Sequence, residues 1–296
     1  MARNGFVREN QAGVDVTDSQ RTFVDDWPKP EILVAMSDFE GLCGFRDPHE
    51  TRQLFDGLDI RIPVDPVLGS LTERSGPAAL AETFLDCLAG DDLRRQIVTE
   101  VVSGAVNHVG EDTPLGEFAR TAVELDEYFP GDPSILAALM LNRIHLRPGE
   151  ALAVPPGLMH SYLSGTGIEI MADSNNVVRG GLTDKHIDVD SLIEIVDFQT
   201  QEPWVMTAEE VDPGMRVFPG TDEQFRLWEL DLDTTRPAIL PASDLARILL
   251  ITGGYAVCSS PQGTDEIVRG QAVWIPAGEQ VQVDGNCDGF LAAAGV

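Results

Sequence analysis

Apolar positions change their period along this chain, and the change divides it. Ile144 and Leu146 alternate with Arg143, His145 and Arg147, the spacing of a strand with one face in water, and Pro148-Gly149 then turns the chain. Ile32 to Met36 is an unbroken apolar run of strand length, preceded by Trp27-Pro-Lys-Pro-Glu31, whose prolines forbid a helix and hold the segment extended. Between about Asp47 and Tyr128 the period becomes helical. Leu80, Phe84, Cys87 and Leu88 share one face of a helix that Gly90 would end, and Leu93, Ile97, Val101 and Ala105 form a second stripe. Thr113 and Pro114 are cap and first-turn residues for a third helix carrying Leu115, Phe118, Ala122 and Leu125. Short helices are predicted over Phe6 to Gln11 and Leu192 to Val196. Past Gln201-Glu-Pro203 the pattern predicts strands over Phe225 to Leu232, Arg247 to Thr252 and Tyr255 to Cys258, the last two joined as a hairpin at Gly253-Gly254.

One spacing occurs twice. Gly149, Pro155, Gly157 and His160 are followed much later by Gly270, Pro276, Gly278 and Val281 at the same intervals. The proline and glycine make a tight bend, after which a strand begins. The first copy resembles the second sequence motif of the cupin barrel, in which the histidine is a metal ligand. Two copies of one unit imply two barrels. Chemistry belongs with His160, and architecture with the copy that has Val281. The fold class is therefore mainly β, a bicupin with a helical insertion. Its expected parts are residues 1–46 and 131–200 for a first barrel short of strands, 47–130 for the helices, and 201–296 for a second barrel.

Composition narrows the function. The formal charge of -29 excludes nucleic acid and anionic membrane surfaces as natural partners. No apolar run approaches the roughly 20 residues of a membrane helix, and the chain reads as cytoplasmic. Cys43, Cys87, Cys258 and Cys287 make no C-x-x-C pair and read as reduced, buried thiols. All basic residues but Lys29 and Lys185 are arginine, and both lysines fall beside the candidate site segments. From spacing alone Glu31 is either a metal ligand or a solvated strand end. His49 and His108 read as surface residues, and His145, on a wet strand face, and His186, after Arg179, are set aside as distractors.

With these residues in hand, the chain resembles the type I mannose-6-phosphate isomerases, zinc-dependent bicupins with a helical insertion. The resemblance is densest in Lys29-Pro-Glu31, Phe39 to Arg46, Leu139 to Leu163 and Glu169 to Asp188, and Asn-Val-Val-Arg179-Gly-Gly-Leu-Thr-Asp-Lys185 is very specific to the family. It implies that Glu31 and His160 are zinc ligands, that Lys29 and Arg179 serve catalysis, and that Lys185 and Asn175 line the substrate site. It also implies a phosphorylated hexose as substrate, Zn2+ as cofactor and a monomeric state. The chain departs from the family by carrying Trp27-Pro28 where an active-site histidine stands, and Asn175 where many members have aspartate. The remaining two ligands, a glutamine and a histidine, would lie before residue 1, so the first barrel is expected to be truncated and its activity impaired. A catalytic zinc takes three or more protein groups. The alternative is therefore a non-catalytic cupin that binds a sugar phosphate. An iron bicupin oxygenase would want several histidines where only His160 is suitably placed.

Overall fold

The structure is a computed structural model and describes residues 2–18, 21–183, 187–219, 224–235, 237–240 and 242–295. The chain opens with helix α1 (Ala2–Gln11) and an extended segment leading to strands β1 (Glu31–Ala35) and β2 (Phe39–Phe45). Helices follow: α2 (Pro48–Asp56), α3 (Asp65–Leu68), α4 (Ser70–Glu73), α5 (Pro77–Cys87), α6 (Asp92–Ala105), α7 (Pro114–Tyr128) and α8 (Ser134–Ala138). Four strands return the chain to the sheets, β3 (Leu141–Leu146), β4 (Glu150–Val154), β5 (His160–Ser164) and β6 (Gly167–Met171), before α9 (Val189–Ile195). The rest is β: β7 (Trp204–Thr207), β8 (Glu209–Asp212), β9 (Met215–Val217), β10 (Phe225–Leu232), β11 (Ala238–Leu240), β12 (Arg247–Ser260), β13 (Gly263–Val268), β14 (Ala272–Ile275) and β15 (Val281–Ala294).

Two small sheets face each other in the first barrel, one in the order β6-β1-β4-β7 and one in the order β3-β2-β5. Leu33, Leu152 and Val154 of one meet Phe39, Cys43, Ile144 and Leu146 of the other. The opposite face of β1 and β4 is covered as well. Ile32, Val34, Ala151 and Ala153 pack against Phe225, Leu227 and Phe290 of the C-terminal sheet. That double burial is why Ile32 to Ala35 is an apolar run and not an alternation. β7 is hydrogen-bonded to β4, from Glu150↔Thr207 to Ala153↔Trp204, so it joins the first sheet although it lies beyond residue 201.

The helices pack over the outside of β2. A register shift between Cys43 and Phe45, with Gly44 at φ 67°, puts Leu42 and Phe45 on the same outward side, where both enter the helical core. The caps are as the sequence predicts for α7, since the Thr113 hydroxyl accepts from Gly116 N at 3.1 Å and Pro114 fills the first turn. A cap of this kind stabilises a helix by about 1 kcal/mol. The helix predicted over Leu192 to Val196 begins earlier, at Val189, where Asp188 accepts from Ser191 N.

The expected hairpin at Gly253-Gly254 is corrected. β12 runs unbroken through both glycines and pairs with β15, with only a register shift between Ile251 and Gly253. A Cβ at Gly254 would lie 1.9 Å from the Asn286 carbonyl oxygen, so the glycines serve close strand approach. The turn comes later, where Ser260 pairs with Gly263. All four cysteines are buried and free. His49 is exposed, whereas His108 is partly buried and bonds Glu111 through Nδ1 at 2.7 Å. No helix among the described residues is long and apolar enough to cross a membrane.

Candidate active site

β1 begins at Glu31, β5 begins at His160, and the two open into one cavity of about 440 Å³. Each position has a local cause. Glu31 follows the extended Pro28-Lys29-Pro30 segment and pairs with Val154 on one side and Met171 on the other. His160 follows the bend at Gly157, which has φ 91° and so needs glycine. Side-chain alternation then aims His160 and Tyr162 of β5, and Glu169 and Met171 of β6, at the same space.

His160 is oriented by its own bend. Its Nδ1 lies 3.0 Å from the Leu158 carbonyl oxygen. A carbonyl only accepts, so Nδ1 donates here, which leaves Nε2 as the ring atom that a metal would take. The Glu31 side chain is only 11% exposed, and its Oε1 is 3.1 Å from Lys29 Nζ. Across the cavity the Tyr162 hydroxyl donates to Glu169 Oε1 at 2.7 Å. Partial desolvation lifts the Glu169 carboxyl above the ordinary value, the Tyr162 bond opposes the rise, and the nearby Glu31 carboxyl adds to it. Burial, then the Glu169 bond and charge, push the Tyr162 phenol up as well, so it stays neutral and donating.

Lys29, Glu31 and His160 all line this cavity. Arg179 lines a neighbouring cavity of about 380 Å³ that shares Leu158, Met159, His160, Val177 and Val178 with the first. Asn175 is exposed and its backbone donates to Asp25 Oδ2, while Asn176 lines the first cavity in its place. Lys185 and His186 lie outside the described residues. His145 sits away from the cavity, between Glu40 and Glu117. Sequence reasoning missed Glu169 and Tyr162. Glu169 sits between Ile168 and Ile170 and reads as the wet face of a strand; only its pairing with Leu33 brings it beside Glu31.

Relatives of known name match most of this chain. The mannose-6-phosphate isomerase of Escherichia coli K12 is 28% identical over 284 residues, covering 95% of this chain and 70% of its own. "Mannose-6-phosphate isomerase 1" of Arabidopsis thaliana is 26% identical over 286 residues, 93% of this chain and 65% of its own. The probable mannose-6-phosphate isomerase of Caenorhabditis elegans is 30% identical over 272 residues, 87% and 63%. By sequence the chain is a relative of the mannose-6-phosphate isomerases. It spans less than two thirds of the length of the Arabidopsis and C. elegans isomerases.

A Salmonella typhimurium mannose 6-phosphate isomerase bound to fructose 6-phosphate and zinc aligns with all of this chain and 73% of its own, with a TM-score of 0.86 at 24% identity. Another mannose 6-phosphate isomerase, bound with zinc and yttrium, aligns with all of this chain and 74% of its own at the same TM-score. These matches establish a shared fold, mainly β with the cupin arrangement expected from the repeated bend. No family model matches the chain.

Proposed function

We propose that this chain carries the active-site half of an enzyme interconverting mannose 6-phosphate and fructose 6-phosphate. The observation that carries this reading is the convergence of Lys29, Glu31, His160 and Glu169 on one cavity, in a relative of the mannose-6-phosphate isomerases. Aldose to ketose conversion moves a proton between adjacent carbons while charge builds on the oxygens. Glu169, held by the Tyr162 hydroxyl, is the carboxylate placed to carry that proton. Lys29 Nζ, anchored by Glu31, donates toward a developing oxyanion. Arg179, half-buried in the adjoining cavity, supplies fixed positive charge for the anionic end of the substrate, and Lys185, outside the described residues, is the further cation that the resemblance implies.

Zinc belongs to this reading. Glu31 and the free Nε2 of His160 are donors that zinc accepts, but no group of three or more His, Cys, Asp or Glu among the described residues is arranged to hold a metal. The pair therefore supplies part of a shell. Bound there, zinc would polarise the sugar oxygens and stabilise the enediolate. Buried free thiols at all four cysteines support a reducing, cytoplasmic setting, and the reading takes the protein as a monomer.

The partial shell favours a second reading, a cupin that binds sugar phosphate without turning it over. One experiment separates them: the purified chain is assayed for metal by elemental analysis and for conversion of mannose 6-phosphate in a coupled assay. Zinc with turnover supports the isomerase. Sugar-phosphate binding with neither zinc nor turnover supports the binding protein, and failure to bind any hexose phosphate removes both.

A further inference from the structure

Trp27 is an aromatic residue that the isomerase reading does not use. Its side chain is among the most exposed large apolar groups of the molecule, at 58%, yet it lines the wall of the cavity that holds Glu31 and His160. Single exposed apolar residues are ordinary on a protein surface. This one is different because its backbone is fixed from several directions. Trp27 N–H donates to Asp25 Oδ1 at 3.0 Å, and its carbonyl accepts from Asn176 Nδ2 at 3.0 Å and Ser174 Oγ at 3.3 Å. Asp25 is in turn held by Ser174 Oγ at 2.9 Å and by Asn175 N at 3.0 Å. The following Pro28 and Pro30 restrict the chain further.

The direction of the side chain follows from the same geometry. Along an extended segment, residues two apart point the same way. Trp27, Lys29 and Glu31 form such a series, and all three line the cavity together with Pro28. The series runs from a broad apolar face at the mouth to a cation and a carboxylate within. A hexose has the matching character: its C–H groups form an apolar face and its hydroxyls stand around the edge. An indole takes such a face by stacking while polar groups reach the hydroxyls.

Resting on the sugar-phosphate reading, we propose that Trp27 is the ring platform of the site. It stacks on the hexose and selects six-carbon cyclic substrates over short acyclic phosphates, which offer no ring to cover it.

The test is calorimetric titration of the full chain and its Trp27→Ala and Trp27→Phe variants with mannose 6-phosphate and with glycerol 3-phosphate. Loss of one stacked ring weakens binding by about tenfold. Trp27→Ala is expected to show that loss for mannose 6-phosphate alone, with an unchanged thermal midpoint. Trp27→Phe is expected to restore most of the affinity while removing the ligand-induced change in tryptophan emission. Unchanged mannose 6-phosphate affinity in Trp27→Ala, or equal weakening of both ligands, overturns the platform and leaves the sugar-phosphate reading standing. If the unaltered chain binds no mannose 6-phosphate, that reading falls and takes the platform with it.

Discussion

The molecule contains the same bend twice, and the two copies end differently. Gly149 and Gly157 have φ 88° and 91°, and Gly270 and Gly278 have φ 84° and 82°. Each bend hands the chain to a strand, β5 at His160 and β15 at Val281. His160 opens onto a cavity, whereas Val281 is 5% exposed and packs in the second core beside Leu240 and Val283. One backbone device therefore opens a side chain onto a cavity or closes a core according to the single residue it delivers. The geometry is shared; the chemistry is not.

The hardest test of that division exchanges nothing but side chains. His160→Ala is expected to lower zinc uptake and isomerase turnover by more than about a hundredfold, since it deletes a direct donor. Val281→Ala should leave both intact and cost about 2 kcal/mol of stability through the cavity it leaves. Elemental analysis, the coupled assay and denaturant melts measure all three, and equal loss of activity in both variants would falsify the division.

The bends themselves should also respond unequally. A Cβ at Gly157 would lie 2.7 Å from the Ile195 carbonyl oxygen, while at Gly278 it would meet nothing within 4 Å. Gly278→Ala is expected to cost about 1–2 kcal/mol from its left-handed backbone alone. Gly157→Ala adds a backbone collision and should cost roughly twice that by urea denaturation. Placing an imidazole at the second bend sharpens the comparison further. Val281→His buries a polar ring among Leu240, Val283 and Ile275, so it should lose about 2 kcal/mol and bind no additional zinc.

The smallest effect concerns what braces the first bend. β5 pairs with β2, whose Glu40 is bonded by Arg143 Nε at 2.7 Å and by His145 Nδ1 at 3.0 Å, and these two side chains reach Glu124 and Glu117 of α7. Burial works to raise the Glu40 carboxyl, but the Arg143 bonds and charge, then His145, outweigh it and hold it below the ordinary 4.5. A depressed folded value means the stabilisation is complete above about pH 4.5 and is lost as pH falls through the folded value. Glu40→Gln should therefore cost about 0.5–1 kcal/mol at neutral pH, with the gap to the parent closing in melts below pH 4.5.

Much of this was legible in the residues. Proline and glycine punctuate both bends, and Thr113-Pro114 marks the start of α7, because each acts through local backbone geometry. Two adjacent glycines are less specific: they permit a hairpin, and at Gly253-Gly254 they instead let β12 and β15 approach closely. Glu169 was illegible for a different reason. Its role depends on which strand lies beside it, and the pairing of β6 with β1 joins residues far apart in sequence. Asn175 and Asn176 differ by one step along an irregular segment, where no period says which side faces inward.

β1 has no wet side: the cavity's own core lies against one of its faces and the C-terminal sheet against the other. The C-terminal sheet is thus the anvil on which the strand that begins at Glu31 rests. Cutting the chain after β7 would lay bare Ile32, Val34, Ala151 and Ala153, and an isolated first barrel would aggregate before it could hold Glu31 in place. The C-terminal sheet cannot be shed.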